Sequence, residues 1–286
     1  MTFTDGKKMK MHDQEVIRLK KIAREIRKHV VRMIGTAGSG HPGGSLSAVD
    51  LLTTLFFHEL RHDPRNPQWP ARDRFILSKG HAAPALYSIY AEAGYYPIDG
   101  LDSLRKVGSP YQGHPDRRML PILEASTGSL GQGLSLGIGM ALAGRIDGTD
   151  YRTYVLLGDG EVQEGQVWEA AMFAAHHRIG SLTAIVDYNK QQLDGWIEKI
   201  VEIKPLVDKW EGFRWHVQEI DGHDYISIMK ALDSARAEAV WPSVIVAHTV
   251  KGKGVSFMEG NTKFHGVAPT AEETKRALEE LEREET

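Results

Sequence analysis

Residues 151–193 read YRTYVLLGDGEVQEGQVWEAAMFAAHHRIGSLTAIVDYNKQQL, and the alternation of patterns within this stretch indicates the fold. Residues 151–157 form an apolar run of strand length, residues 162–177 have helical spacing, and residues 182–186 form a second short apolar run. A strand, a helix and a strand in this order are typical of parallel strands joined by a helix that packs on the sheet. The stretch therefore predicts the centre of an α/β sheet.

The same alternation continues toward the C-terminus. Residues 215–220 predict a strand, residues 225–239 a helix and residues 243–247 another strand. We therefore expect an α/β fold with a doubly wound, mostly parallel sheet that is flanked by helices. The sequence has no internal repeat and no low-complexity linker, so we expect residues 1–286 to form a single domain.

The two ends of the chain predict further helices. An amphipathic helix spans residues 13–34 and is expected to end at Gly35. Thr270 and Glu273 have the spacing of a capping box, which opens a charged terminal helix. The elements predicted between these ends are a helix from Ser45 to before Pro64, a strand at 75–77, a helix at 82–93, a surface loop at 94–118 and a helix at 131–145.

Composition excludes several classes of protein. The 286 residues are 41% hydrophobic and 26% charged, which is typical of a globular chain. The net charge of -3 argues against a general nucleic-acid-binding protein, and the absence of cysteine excludes disulfides and thiolate chemistry. There is no apolar run of about 18 residues and no signal peptide, so we expect a soluble, cytoplasmic protein without a membrane anchor.

The loops that follow two of the predicted strands carry polar residues suited to a metal ion. In doubly wound sheets, ligands bind outside the carboxyl ends of the strands. Asp159 lies between two glycines and just before a predicted helix N-terminus, which favours an anion. Asn189 follows the next strand. A carboxylate and an amide oxygen are hard ligands that suit magnesium or calcium, with diphosphate oxygens completing the coordination.

Each of these residues also has a purely structural interpretation. Asp159 alone could cap a helix, and Asn189 alone could form a turn. The metal interpretation is favoured because both residues occur together, at the ends of strands that should be neighbours.

Seven short motifs are spread over nearly the whole chain. One runs from Gly158-Asp159-Gly160 to Asn189. The others are Ser39-Gly40-His41-Pro42-Gly43, Leu77-Ser78-Lys79-Gly80-His81-Ala82, Gly113-His114-Pro115, Ser126-Thr127-Gly128-Ser129-Leu130-Gly131-Gln132-Gly133, Thr249-Val250-Lys251-Gly252-Lys253-Gly254 and Phe264-His265-Gly266. The first resembles the thiamine-diphosphate motif, and all seven, in their order along the chain, resemble the N-terminal, diphosphate-binding domain of transketolase.

The resemblance implies a thiamine-diphosphate-binding fold and a metal-assisted cofactor site. Asp159, Asn189 and the backbone carbonyl of Gln191 would hold Mg²⁺ or Ca²⁺ on the diphosphate. Leu130 and Leu193 would enclose the cofactor rings. The cofactor-binding residues that the resemblance implies are His81, Gly128, Ser129, Leu130, Gly160, Glu164, Asn189, Leu193 and His265.

The resemblance also implies catalytic roles for four histidines. His41, His81, His114 and His265 would line the funnel to the cofactor, bind substrate hydroxyls and carry protons. Transketolases transfer a two-carbon ketol unit from a ketose phosphate to an aldose phosphate, as in the pentose phosphate pathway. Each step moves a proton at an oxygen near neutral pH, and imidazole is the side chain suited to that task.

A complete transketolase resembles this chain followed by a pyrimidine-binding domain and a further C-terminal domain. Those domains would supply the glutamate that activates the cofactor and the arginines that bind sugar phosphate. Because the chain closes with a capped, charged helix, we expect one half of a split transketolase that is active only with a C-terminal partner subunit, in an α2β2 assembly. Glu164 would then lie near the subunit contact, and the small-residue helix from Gly131 to Gly139 would allow close packing there.

Other interpretations remain open. His58-Glu59-Leu60-Arg61-His62 matches the zinc-peptidase motif, although it falls just before Pro64 and has no third ligand at the usual spacing. Within the cofactor class, the alternatives are the α subunit of a 2-oxo acid dehydrogenase and a deoxyxylulose-phosphate synthase fragment. A paralogue that binds the cofactor without chemistry is the non-enzymatic alternative.

Overall fold

The structure, a computed structural model, describes residues 3–193 and 195–283, with side chains from residue 12 onward. Residues 1, 2, 194 and 284–286 of the predicted domain lie outside the described residues. The strands are β1 (Arg74–Leu77), β2 (Thr153–Gly158), β3 (Leu182–Tyr188), β4 (Gln191–Gln192), β5 (Gly195–Trp196), β6 (His216–Asp221) and β7 (Ser243–His248). The α-helices are α1 (Phe3–Ala37), α2 (Pro42–Ser47), α3 (Val49–Thr54), α4 (Ala83–Glu92), α5 (Gln132–Ile146), α6 (Gly165–His176), α7 (Ile197–Ile200), α8 (Leu206–Gly212), α9 (Tyr225–Ala237) and α10 (Ala271–Arg283).

The predicted doubly wound sheet is confirmed. Its strand order is β1-β2-β3-β7-β6, and every neighbouring pair is parallel. Strand residues alternate between two apolar cores, because successive side chains of a strand point to opposite faces. Tyr154 and Leu156 belong to the core beneath α1, α3, α4 and α9, while Val155 and Leu157 belong to the core beneath α5 and α6. Helices therefore cover both faces of the sheet.

The register brings four loops to one edge of the sheet. Leu77 pairs with Leu156, Gly158 with Asp187 and Tyr188 with His248, so β1, β2, β3 and β7 end side by side. The loops that follow these strands begin at residues 78, 159, 189 and 249. This is the edge at which ligands bind in doubly wound sheets.

The first helix is longer than the sequence predicts. It does not end at Gly35 but continues to Ala37. A Cβ added at Gly35 would lie 2.4 Å from Thr274 Oγ1, so the glycine serves the close approach of α10 rather than the helix end. The capping box of α10 is confirmed, because the Thr270 amide donates to Glu273 Oε2 at 2.8 Å and the Glu273 amide donates to Thr270 Oγ1 at 3.1 Å.

The predicted helix from Ser45 to Pro64 is wrong in its boundaries. Helix α2 already begins at Pro42, a residue whose missing amide and fixed φ suit the first turn of a helix. The chain then continues as α3 and as one π-helical turn at 55–59, after which Leu60 is extended with ψ of 133°. The helix predicted at 162–177 is also displaced, since a 3-10 turn at 161–163 and an extended Glu164 precede α6.

These boundaries remove the helix that a zinc-peptidase motif requires. His58 lies in the π-helical turn, whereas His62 follows the extended Leu60 and is bonded to Tyr95 and to the Phe56 carbonyl. Glu59 is buried and accepts hydrogen bonds from Tyr154 and Arg236. The described ranges contain no cluster of three His, Cys, Asp or Glu side chains that could hold a metal ion. The zinc interpretation is therefore not supported.

Within residues 3–193 and 195–283, no helix combines the length and the apolar character needed to span a membrane.

Candidate active site

Asp159 lies at the carboxyl end of β2, where its carboxylate faces the loop that follows β3. The side chain is 2% exposed. Its Oδ1 accepts a hydrogen bond from the Gly160 amide at 2.8 Å, and its Oδ2 accepts one from the Lys190 amide at 2.5 Å. The two loops are therefore joined through this carboxylate.

Asn189 and Gln191 lie in the same loop, on either side of Lys190. Asn189 Oδ1 accepts a hydrogen bond from the Gln191 amide at 3.2 Å, and both side chains are buried. The backbone carbonyl of Gln191 accepts a hydrogen bond from Lys251 Nζ at 3.0 Å. The structure thus brings together the three predicted metal-binding residues and adds a buried ammonium group, which the sequence did not distinguish from a solvated lysine.

The carboxylates at this edge differ in their electrostatics. Burial, followed by the negative charge of Asp187, raises the pKa of Asp159 to about 7. Burial acts in the same direction on Asp187, but the ammonium of Lys79 at 2.5 Å and hydrogen bonds from Ser47 and Thr249 keep the pKa of Asp187 below its ordinary value. Asp187 is thus neutralised within the chain, and Asp159 is not.

The group at Asp159 fits a divalent cation. The pKa of a buried carboxylate is raised when nearby positive charge does not compensate for the loss of hydration. A bound cation would supply that charge at Asp159. Asp159, Asn189 and the Gln191 carbonyl supply only oxygen ligands, as Mg²⁺ and Ca²⁺ prefer. The prediction that a helix N-terminus directly follows Asp159 is wrong. Helix α6 begins only at Gly165, so its first amides cannot point at an anion beside Asp159.

Glycines keep the neighbouring loop close to the sheet edge. Gly128 has φ of +140°, a conformation that side chains disfavour, and a Cβ there would lie 3.0 Å from the His114 ring. A Cβ at Gly80 would lie 2.7 Å from the Gly128 amide nitrogen. The predicted cofactor loop at 128–130 therefore packs against the turn that carries His81.

Glu161 is a site residue that sequence reasoning missed. Its Oε1 accepts hydrogen bonds from the Ser78 hydroxyl and from the Gly131 amide at 2.9 Å, and its Oε2 accepts one from the Gly158 amide at 2.9 Å. Burial raises the pKa of Glu161, and these hydrogen bonds oppose that shift. The carboxylate therefore joins the ends of β1 and β2 to the cofactor loop. In the sequence, Glu161 is marked only as a charged residue that directly follows Gly158-Asp159-Gly160.

The four predicted catalytic histidines meet in one cluster. Ring centroids of His41 lie 5.4 Å from His81, 6.1 Å from His114 and 5.6 Å from His265, and His81 lies 5.5 Å from His265. Lys251 Nζ is 2.8 Å from His265 Nδ1. Because an ammonium only donates, His265 Nδ1 accepts and its Nε2 carries the proton. Lys251 thus connects the histidine cluster to the group around Asp159.

The histidines are held in the neutral form. Burial is the largest cause that lowers the pKa of His41 to about 4 and that of His265 to about 3, and the charges of Arg105 and Lys251 add to it. Burial lowers the pKa of His81 and His114 as well. A neutral imidazole has one donor and one acceptor nitrogen, so the cluster can both give and take hydrogen bonds at pH 7.

The remaining predicted residues lie around this centre. Leu193 has φ of +40° and is 63% exposed, Ser129 is exposed, and Leu130 is half-buried, so none of the three is enclosed by the described part of the chain itself. Glu164 is exposed and occupies the N-cap position of α6, where its side chain makes no capping hydrogen bond. A Cβ added at Gly131 would lie 2.8 Å from the Cβ of Glu164. These side chains are available to a cofactor or to a partner chain.

Arg105 is a second residue that the sequence did not reveal. It adopts a left-handed conformation with φ of 60°, and its Nη1 donates to Ser39 Oγ at 2.8 Å. Within the described part of the chain, the polar atoms that are buried without a hydrogen-bond partner include Nε of Arg105 and Nδ1 of His41.

Comparison with known proteins establishes the class. Residues 18–285 match the family described as transketolase, thiamine diphosphate binding domain. The chain therefore belongs to the transketolase family and contains its thiamine-diphosphate-binding domain.

The chain is similar both to short transketolase subunits and to one domain of long transketolases. The chain is 47% identical to the 6-deoxy-6-sulfo-D-fructose transketolase subunit of a Clostridium species, over 95% of this chain and 98% of that protein. It is 41% identical to an apulose-4-phosphate transketolase subunit of Phocaeicola vulgatus, over 89% of this chain and 90% of that protein. The solved transketolase of Campylobacter jejuni superposes with a TM-score of 0.86 at 34% identity, and the match covers 92% of this chain but 42% of that one. The chain therefore spans about two fifths of a long transketolase and nearly all of each of these two shorter relatives.

Proposed function

We propose that this chain is the diphosphate-binding subunit of a two-chain transketolase, which transfers a two-carbon ketol unit from a ketose phosphate to an aldose phosphate. The observation that carries the proposal is the position of Lys251, whose ammonium contacts both the Gln191 carbonyl and His265. It makes the oxygen ligands and the histidine cluster parts of one site. In this proposal residues 1–286 act as a single cofactor-binding domain.

Asp159, Asn189 and the Gln191 carbonyl would hold Mg²⁺, or Ca²⁺, against the diphosphate, and Gly160 and residues 128–130 would approach the same group. Thiamine diphosphate, when bound, supplies the electron sink that ketol transfer requires. Lys251 is 3% exposed, and burial together with the charge of Lys79 lowers its pKa to about 8. Its ammonium would add positive charge where the diphosphate is bound.

The histidine cluster would bind the substrate and transfer protons. His41 and His114 would bind substrate hydroxyls, while His81 and His265 would contact both substrate and cofactor. Because burial keeps these imidazoles neutral, each can donate to one oxygen and accept from another. Leu130 and Leu193 would enclose the cofactor rings once a partner covers them.

The proposal requires a partner chain with a pyrimidine-binding domain. The two similar subunits are matched over 90% and 98% of their lengths, whereas the long transketolase is matched over 42%. The rest of a long transketolase would therefore be supplied by a second polypeptide, which brings the activating glutamate near Glu164. We infer an α2β2 assembly.

The test is a calorimetric titration of thiamine diphosphate and Mg²⁺ into this chain, with and without its partner chain, followed by a ketol-transfer assay on both samples. We expect activity only in the mixture, because the activating glutamate and the phosphate-binding arginines lie outside this domain. Sugar phosphates and sulfo-sugars should be compared as donors, since the two relatives are named for different substrates. The absence of any Mg²⁺-dependent binding of thiamine diphosphate would refute the proposal.

We place the partner on a surface of α5 and α6, which we call the α5–α6 surface. It is formed by Gln132, Leu136, Gly139, Gln166 and Phe173. Leu136 is 40% and Phe173 44% exposed, and Gly139 has open space beside it. The inward glycines of α5 serve the chain itself, since a Cβ at Gly137 would lie 2.5 Å from Val155. The surface adjoins Glu164 through Gly131, so a partner that reaches Glu164 would cover it.

Leu136→Arg is therefore expected to weaken assembly with the partner about tenfold or more, as for a charge introduced at the centre of an interface. Val107→Arg is the matched control, because Val107 is fully exposed in the segment between α4 and α5. Sedimentation velocity of the mixed chains measures the effect. Equal assembly of the two variants would place the partner elsewhere.

A further inference from the structure

Asp50 forms a buried polar centre on the side of the sheet that faces α1. It is 3% exposed, and its Oδ2 accepts hydrogen bonds from Arg27 Nη2 at 2.6 Å and from His223 Nδ1 at 2.7 Å, while Oδ1 accepts one from the Tyr225 hydroxyl at 2.5 Å. Burial acts against its ionisation, but the charge of Arg27 and the bond from His223 hold the pKa of Asp50 well below its ordinary value. Asp50 is therefore a carboxylate that only accepts.

This fixes the proton on His223. Because Asp50 only accepts, His223 Nδ1 must donate to it. His223 Nε2 in turn accepts a hydrogen bond from the Val250 amide at 2.8 Å. The ring is thus held as the tautomer with its proton on Nδ1. It connects Asp50 to the loop after β7 through one hydrogen bond on each side.

Arg27 forms a hydrogen bond to the same loop at a second residue. While Nη2 is bonded to Asp50, its Nε donates to the Lys253 carbonyl at 3.2 Å. The loop is therefore held at the amide of Val250 and at the carbonyl of Lys253, both through Asp50. Lys251 lies between these two points.

We propose that Asp50, Arg27 and His223 form a clamp that positions Lys251 for the cofactor site. Each of the three residues comes from a different element, namely α3, α1 and the loop between β6 and α9. Their hydrogen bonds reach the loop after β7 at Val250 and Lys253, so their effect on the site passes through the backbone of residues 250–253. His223 is thus a positioning residue. The inference rests on the proposed function, because it assigns to Lys251 a role at the diphosphate.

Two substitutions at His223 separate its two bonds. In His223→Asn, the amide nitrogen occupies the place of Nδ1 and keeps the bond to Asp50, but nothing accepts from Val250. In His223→Gln, the side-chain oxygen reaches the place of Nε2 and keeps the bond to Val250. The two variants are matched in polarity, and thermal melting of each shows whether it folds as the unchanged chain does.

The first measurement is hydrogen exchange of the full chain without cofactor. We expect the amides of residues 249–254 to exchange faster in His223→Asn than in His223→Gln. The second is calorimetric titration of thiamine diphosphate with Mg²⁺ into the assembled enzyme. We expect His223→Asn to bind about five- to tenfold more weakly, the size of one lost hydrogen bond. We expect a smaller loss in His223→Gln, which keeps the bond to Val250 but no longer connects it to Asp50.

The outcomes distinguish this inference from the proposed function. Wild-type affinity in His223→Asn, or a larger loss in His223→Gln than in His223→Asn, would overturn the clamp. Failure of the unchanged enzyme to bind the cofactor would overturn the proposed function, and the exchange rates would still decide whether His223 holds the loop.

Discussion

Asp159→Asn is expected to abolish Mg²⁺-dependent binding of thiamine diphosphate and, with it, ketol transfer. Asparagine has nearly the shape of aspartate, but its single oxygen can accept only one of the hydrogen bonds from the Gly160 and Lys190 amides, because its amide nitrogen donates. The negative charge that attracts the cation is lost. Removal of groups that only support metal ligands costs about 10–100-fold in affinity, and loss of a ligand's charge should cost at least about 100-fold.

The same substitution is expected to stabilise the chain in the absence of metal. Burial and Asp187 raise the pKa of Asp159 from its ordinary value to about 7, so the folded chain holds a proton that the unfolded chain has already lost. Between pH of about 4 and 7 the folded state binds more protons, and its stability from this group falls as the pH rises. Asp159→Asn lacks this dependence. Its advantage in melting temperature should therefore be larger at pH 8 than at pH 5.

Thermal melting at both pH values, with and without Mg²⁺ and thiamine diphosphate, measures the two effects together. The unchanged chain, in complex with its partner, should gain melting temperature from the cofactor pair, since a ligand that binds only the folded state stabilises it. Asp159→Asn should not. A variant that is less stable at pH 8 and still stabilised by Mg²⁺ would contradict both the electrostatic argument and the metal site.

The sheet could be predicted because its strands are short apolar runs with helices of regular spacing between them. Val155 and Leu157 face one core, and Tyr154 and Leu156 face the other, so a run without polar residues marks a strand buried on both faces. The loops after β2 and β3 were then placed at one edge by topology alone. Asp159 and Asn189 meet for that reason.

Other parts of the site depend on contacts that no local pattern contains. Asp50 and His223 are 173 residues apart and meet only because α3 packs near the loop before α9. Arg105 takes a left-handed conformation that is uncommon for arginine, and the turn around Glu161 is too short to show helical periodicity. Lys251 is likewise buried because residues 249–265 pack against α2. The glycine-rich sequence around Lys251 does not reveal this packing.

His41→Ala is expected to lower the rate of ketol transfer in the two-chain enzyme by a factor of about 10²–10⁴, the range over which a positioned acid or base contributes. His41 is the centre of the cluster, with the rings of His81, His114 and His265 around it. Its Nδ1 is buried without a partner among the described residues, so a substrate oxygen is the group that would complete its hydrogen bonds.

The affinity for thiamine diphosphate and Mg²⁺ should change little in His41→Ala, because His41 contacts neither Asp159 nor the 189–191 loop in the hydrogen bonds of the described residues. His176→Ala is the matched control, since His176 is an exposed histidine at the end of α6. Steady-state rates and calorimetric titration of both variants give the comparison. If His41→Ala lost cofactor affinity in proportion to rate, the residue would belong to the cofactor site instead, and proton transfer would have to be assigned to His114 or to the partner chain.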